Sequence, residues 1–89
     1  MEILKSASAG TIESSDAYVE INPGNGLLDI EIESVVKAQF GAEIEAAVRD
    51  VLSEKSVTNA QVRVVDRGAL ECVIRARVET AILRGRGDK

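Results

Sequence analysis

Leu27-Leu28-Asp29-Ile30-Glu31-Ile32-Glu33 alternates apolar and acidic side chains without a break. A period of two places Leu28, Ile30 and Ile32 on one face and Asp29, Glu31 and Glu33 on the other, the signature of a half-buried β-strand with a solvated acidic side. A helix would scatter the same residues around its circumference, so this stretch excludes an all-helical bundle. The alternation carries on through Ser34, Val36, Ala38 and Phe40, and the strand is expected to reach about Lys37. A helix starting after Ser34 as its N-cap is the competing reading.

Upstream, Asn22-Pro23-Gly24-Asn25-Gly26 is the strongest break in the chain. Proline fixes φ and lacks an N–H, while Gly and Asn accept left-handed backbone. Before it, residues 7–13 and 16–21 read as two strands of a hairpin around Glu13-Ser14-Ser15-Asp16. Thr11, Ile12, Tyr18, Val19 and Ile21 suit a pleated ribbon, and Ser and Asp are turn formers. Ala17, Val19 and Ile21 share one face of the second strand, Tyr18 and Glu20 the other. The small residues Ala7 to Gly10 fit a strand that another surface approaches closely. Residues 1–6 read as a frayed or edge segment, with Ile3 and Leu4 laid on the core.

Downstream, the period becomes helical from Ala42. Ile44, Ala47, Val48, Val51 and Leu52 make one stripe, and Glu45 and Arg49 form an i, i+4 pair opposite it. The helix should end near Lys55, before Ser56-Val57-Thr58-Asn59. Gln61-Val62-Arg63-Val64-Val65 reads as the last strand, and Asp66 as the N-cap of a second helix. Leu70, Val73, Ile74, Val78, Ala81 and Ile82 form that helix's stripe, with Cys72 a small buried or half-buried member beside it and Arg75, Arg77, Arg84 and Arg86 on a solvated face. The expected fold is α+β, in the order βββαβα. It is a two-layer sandwich with an antiparallel-rich sheet of about four strands and two helices on one face. Residues 1–84 make a single domain, and 85–89 a flexible polar tail.

Eighty-nine residues bury one modest core, with a stability of a few kcal/mol. No apolar run approaches the roughly 20 residues of a bilayer span, and the N-terminus lacks a secretory pattern. The single cysteine forms no internal disulfide, so a cytoplasmic location is expected. Net charge is −4. Residues 1–60 hold 4 basic and 11 acidic side chains, a balance of −7; residues 61–89 hold 7 and 4, a balance of +3. That distribution disfavours nucleic acid, although the basic part suits an acidic partner surface. The chain has no histidine, so it lacks the commonest general base and the commonest metal ligand. No zinc-type cysteine spacing and no glycine-rich phosphate loop occur. Autonomous catalysis is not expected, and the bland reading is a protein-interaction module.

Ala9-Gly10-Thr11-Ile12-Glu13-Ser14-Ser15-Asp16 resembles the N-terminal motif of the acyl carrier (gamma) subunit of citrate lyase, a Gly-Thr-hydrophobic-Glu-Ser-small-Asp segment. Asp29-Ile30-Glu31-Ile32 followed by Gln39-Phe40-Gly41 is similar to a second passage of that family. Asp66-Arg67-Gly68-Ala69-Leu70-Glu71-Cys72, followed by Arg75-Ala76-Arg77, is similar to a third. Position 15, commonly glycine in the family, is Ser15 here.

The resemblance implies a non-catalytic subunit whose Ser14 carries 2'-(5''-phosphoribosyl)-3'-dephospho-CoA through a phosphodiester, making it a phosphoprotein of citrate fermentation. Glu13, Ser15 and Asp16 would support the turn, with Glu13 and Asp16 also open to recognition by the prosthetic-group transferase. The alternative to a solvated face for Arg75, Arg77, Arg84 and Arg86 is contact with a partner subunit or with the phosphates of the arm. The implied partners are the citrate lyase alpha and beta subunits, the transferase and an acetylating ligase. In that complex the alpha subunit exchanges acetyl for citryl on the carrier, releasing acetate, and the beta subunit cleaves the citryl thioester to oxaloacetate. The acyl carrier of malonate decarboxylase, which uses the same kind of arm, is the second family the pattern resembles. Four-helix acyl carriers set their serine in Asp-Ser-Leu, which is absent here.

Overall fold

The computed structural model describes residues 2–87. Its elements are β1 (Ala7–Gly10), β2 (Ala17–Pro23), β3 (Leu28–Ser34), α1 (Lys37–Glu54), β4 (Ala60–Asp66) and α2 (Glu71–Gly85). The four strands form one sheet in the order β1-β2-β4-β3. β1 and β4 each pair antiparallel with β2, whereas β3 pairs parallel with β4. The parallel pair follows from α1, which carries the chain back to the end where β3 began, as parallel neighbours require.

The alternation read from the sequence decides the layers. Ala9, Val19, Val64 and Ile32 are in register across all four strands, and all four are buried. Ile21 and Val62 continue that face one row along, with Ala7 and Ile30 packed beside them. The helices cover this face with Ile44, Val48, Val51 and Leu52 from α1 and with Ile74, Val78, Ala81 and Ile82 from α2. Each fully buried Val, Leu or Ile side chain here contributes about 1.5–3 kcal/mol. The other face stays open, and on it Arg63 lies 3.6 Å from Glu31 and 3.4 Å from Glu33. The α+β sandwich with the order βββαβα is the fold expected.

Several boundaries differ from expectation. β3 stops at Ser34, and α1 begins at Lys37 rather than Ala42. The Ser34 hydroxyl donates to Asp66 Oδ2 (2.8 Å) and accepts from the Val36 N–H (3.1 Å), which turns the chain out of the sheet. Val36, Phe40 and Ile44 recur every fourth residue, so the apparent alternation past Ser34 also fits a helix. The first strand ends at Gly10 instead of residue 13, leaving Ile12 exposed.

Asp66 does not cap α2. It is the last residue of β4, and its Oδ1 accepts from the Ala69 N–H at 2.9 Å, while Leu70 precedes the helix without a side-chain cap. Leu70 and Cys72, placed by periodicity on or beside the buried stripe, are exposed: Leu70 precedes the helix, and Cys72, two positions from buried Ile74, falls on the other side of it. Ile3 is buried as expected, but Leu4 is exposed. α2 runs through Gly85, whose carbonyl accepts from the N–H groups of Leu4 and Lys5, and Arg86 donates to the Lys55 carbonyl. Asp88 and Lys89 of the expected tail lie outside the described residues.

Candidate modification site

The loop begins at Gly10, where φ is +91° and a Cβ would sit 1.9 Å from the Ala17 carbonyl oxygen. Only glycine allows β1 to approach β2 that closely and then leave the sheet. Thr11–Asp16 follows as a six-residue loop, wider than the tight turn at 13–16 that the sequence suggested. The Thr11 hydroxyl accepts from the Glu13 N–H (3.3 Å) and donates to Asp16 Oδ2 (2.6 Å). The Asp16 N–H donates to the Glu13 carbonyl (3.1 Å), closing a four-residue turn with Ser14 and Ser15 at its centre. Ser15, the third residue of that turn, has φ +66°. This left-handed conformation is what glycine supplies most cheaply, a physical reason for glycine at that place in a chain with the same turn.

Asp16 anchors the loop. Its Oδ1 accepts from the Ala17 N–H (2.7 Å) and Arg77 Nε (3.1 Å), and its Oδ2 accepts from Arg77 Nη2 (3.2 Å) besides Thr11. The Thr11 hydroxyl, the Ala17 N–H and the Arg77 guanidinium lower its pKa from 3.8 to about 2, in that order of effect. A second tie joins the loop to the β4–α2 connection, where the Ser15 N–H donates to the Arg67 carbonyl (2.8 Å) and the Arg67 N–H to the Asp16 carbonyl (2.9 Å). The turn is therefore held from β2, from α2 and from the chain after β4.

The four residues singled out by sequence are thus brought together, in distinct roles. Asp16 is committed to structure. The backbone of Ser15 is committed and its side chain exposed, and Glu13 and Ser14 are exposed at the tip. Among the described residues the Ser14 hydroxyl has no hydrogen-bond partner, so nothing in this chain competes for it. Nothing activates it either, because Asp16 is engaged by Thr11, Ala17 and Arg77. Such a hydroxyl, open to solvent on a fixed turn, fits covalent attachment of a bulky group.

Sequence reading missed Gly10, Thr11 and Arg77 as parts of the site. Gly10-Thr11 and Arg75-Ala76-Arg77 stood in the quoted motifs, but a bond across 61 positions leaves no local pattern. Arg75 and Arg77 were both assigned to a solvated face. Instead Arg75 pairs with Asp50 and Glu71, and Arg77 with Asp16. Among the described residues no group of His, Cys, Asp and Glu has metal-binding geometry, and no helix is long and apolar enough to cross a membrane.

An acyl carrier family model, described as malonate decarboxylase delta subunit (MdcD), matches residues 4–85. The citrate lyase acyl carrier protein of Albidiferax ferrireducens is 53% identical over 89 residues, covering 99% of this chain and 91% of the relative. That of Haemophilus influenzae (strain PittEE) is 56% identical over 84 residues, and that of Oenococcus oeni 50%; each alignment covers 94% of this chain and 87% of the relative. A chain in the crystal structure of a Pseudomonas malonate decarboxylase hetero-tetramer in complex with malonate matches with a TM-score of 0.78 over 94% of this chain and 87% of that one. Its sequence identity is 18%, so that likeness speaks to fold alone. With half or more of its residues shared with these relatives over nearly its whole length, the chain belongs to the citrate lyase acyl carrier proteins, a family of non-catalytic carrier subunits.

Proposed function

We propose that this chain carries its acyl group on a 2'-(5''-phosphoribosyl)-3'-dephospho-CoA arm joined through a phosphodiester to Ser14 Oγ. The observation that carries the reading is the Ser14 hydroxyl, exposed and uncommitted on a turn held from three sides. When bound, the group supplies a thiol on a long flexible chain. The protein's own residues supply a fixed root for that chain. Gly10 lets the loop leave the sheet, Thr11 and Asp16 close it, and Arg77 and the Arg67 backbone hold it against the body.

Tethering is the contribution to catalysis, since a thiol that visits two active sites without dissociating reacts at high effective concentration. The partners that follow are the citrate lyase alpha and beta subunits, together with a prosthetic-group transferase and an acetylating ligase, all in the cytoplasm. A second reading, a malonate decarboxylase carrier, draws on the description of the family model. Reconstitution with each set of catalytic subunits separates the two.

The test is the intact mass of the protein from native cells fermenting citrate, with fragmentation of the Ala9–Ile21 peptide, alongside Ser14→Ala and Ser15→Gly. The arm is expected on Ser14. S14A should lose it completely, and S15G should keep it, because glycine accepts the left-handed backbone at that position. An arm on Ser15 corrects the site. A bare chain from such cells refutes the carrier chemistry and leaves an unmodified interaction module.

A further inference from the structure

The chain contains seven arginines, and six of them are spent internally. Arg49, Arg63, Arg75 and Arg77 stand in ion pairs, and Arg84 and Arg86 donate to the backbone carbonyls of Ser8 and Lys55. The seventh, Arg67, is exposed, and among the described residues its guanidinium has neither an ion pair nor a hydrogen bond. Its backbone is fixed at the modification turn by the two hydrogen bonds it exchanges with Ser15 and Asp16, one residue along the chain from Ser14. Among the described residues, the backbone of the one arginine with an uncommitted guanidinium is thus tied to the turn that carries the serine proposed for modification.

The charge at the turn shows what such a group is for. Asp16 is compensated by Arg77, whereas Glu13 is exposed and has no ion-pair partner among the described residues. A phosphodiester on Ser14 would add a further negative charge next to Glu13, and like charges at that spacing repel. A guanidinium presents paired donors that match two phosphate oxygens, which an ammonium does not.

We propose that Arg67 is the positioning residue for the phosphodiester on Ser14, its guanidinium binding the phosphate oxygens and fixing the root of the arm. The proposal rests on the carrier reading, and the two fail in different ways. Wild type, Arg67→Gln and Arg67→Lys are loaded with the arm by the transferase, and intact mass reports occupancy of Ser14. On the loaded proteins, the Arg67 Nε–H resonance and the 31P resonance of the phosphodiester are recorded at low and high salt.

On loading, the wild-type Nε–H signal is expected to move and to slow its exchange with water, and high salt should reverse part of the shift. The 31P signal of loaded R67Q should differ from wild type, with R67K between them. Loaded R67Q should melt about 1–4 °C below loaded wild type, while the two unloaded proteins melt together, because among the described residues the Arg67 guanidinium has no hydrogen bond or ion pair to lose. An arm present on Ser14 with the Arg67 signal unmoved and the 31P signal unchanged in R67Q overturns this proposal alone. A wild-type chain that accepts no arm overturns the carrier reading, and this proposal with it.

Discussion

Asp16 does at the scale of one residue what the hairpin alone cannot do. A six-residue loop with a left-handed serine at its centre costs conformational free energy, and a carboxylate with four donors around it offsets that cost. Because its folded pKa, about 2, lies below the ordinary 3.8, the ionised form is favoured by folding. The stabilisation is therefore complete above about pH 4 and is lost as pH falls from there through about 2. Thermal unfolding of wild type and Asp16→Asn across that range tests this. The gap in Tm should be widest near about pH 5 and close towards about pH 2, whereas a gap independent of pH would assign the loss to shape and not to charge. Asp16 was legible in the sequence as a turn former. Its partner was not, because Arg77 lies on another element and its own surroundings in sequence are those of an ordinary helix face.

At the scale of elements, the junction of β3, β4 and the start of α2 is built on one buried carboxylate. Asp66 is 1% exposed, and it accepts from the Ser34 hydroxyl at 2.8 Å and from the Ala69 N–H at 2.9 Å. Replacing it with alanine leaves both half-buried donors without their acceptor, at up to about 1–3 kcal/mol each. Asp66→Ala is thus expected to lower Tm by about 10 °C or more, and Ser34→Ala by less than half of that, in thermal or denaturant unfolding. Equal losses would mean that the Val36 bond, which only Ser34→Ala removes, is worth as much as the Ala69 bond, which only Asp66→Ala removes. This junction also explains which boundaries the sequence yields. The faces of β2, β3 and α1 follow from periods of two and 3.6, which are local, so Val19, Ile32 and Val48 were placed correctly. Where β3 ends depends on a bond from Ser34 to a residue 32 positions away. Where β1 ends depends on the space between Gly10 and the Ala17 carbonyl. Neither contact imposes a period, so both strands were drawn too long, and Asp66 was read as a cap because Asp before an apolar stripe resembles one.

For the whole molecule, the division into an acidic first part and a basic second part dissolves on folding. Arg63 lies between Glu31 and Glu33, Arg75 reaches Asp50 as well as Glu71 of its own helix, and Arg77 holds Asp16, so these three arginines of the later strand and helix each meet an acidic residue of an earlier element. The chain keeps a net −4, and along the edge strand β3 the exposed Asp29, Glu31 and Glu33 outnumber the single Arg63 set against them. A carrier must meet several catalytic subunits and leave each of them, which favours steering by charge over a large dry interface. Association of the chain with the catalytic subunits proposed as its partners should therefore slow about tenfold or more from low to high salt, measured by stopped flow, with dissociation changing less. Charge reversal of β3 by Glu31→Lys and Glu33→Lys should slow association at low salt and leave it nearly unchanged at high salt. A rate indifferent to salt would point instead to the exposed apolar pair Phe40 and Leu70, which lie with Val36, Ile44 and Ile74 along a cleft between the first turns of α1 and α2. In that case Phe40→Ser would weaken binding where the charge reversals do not.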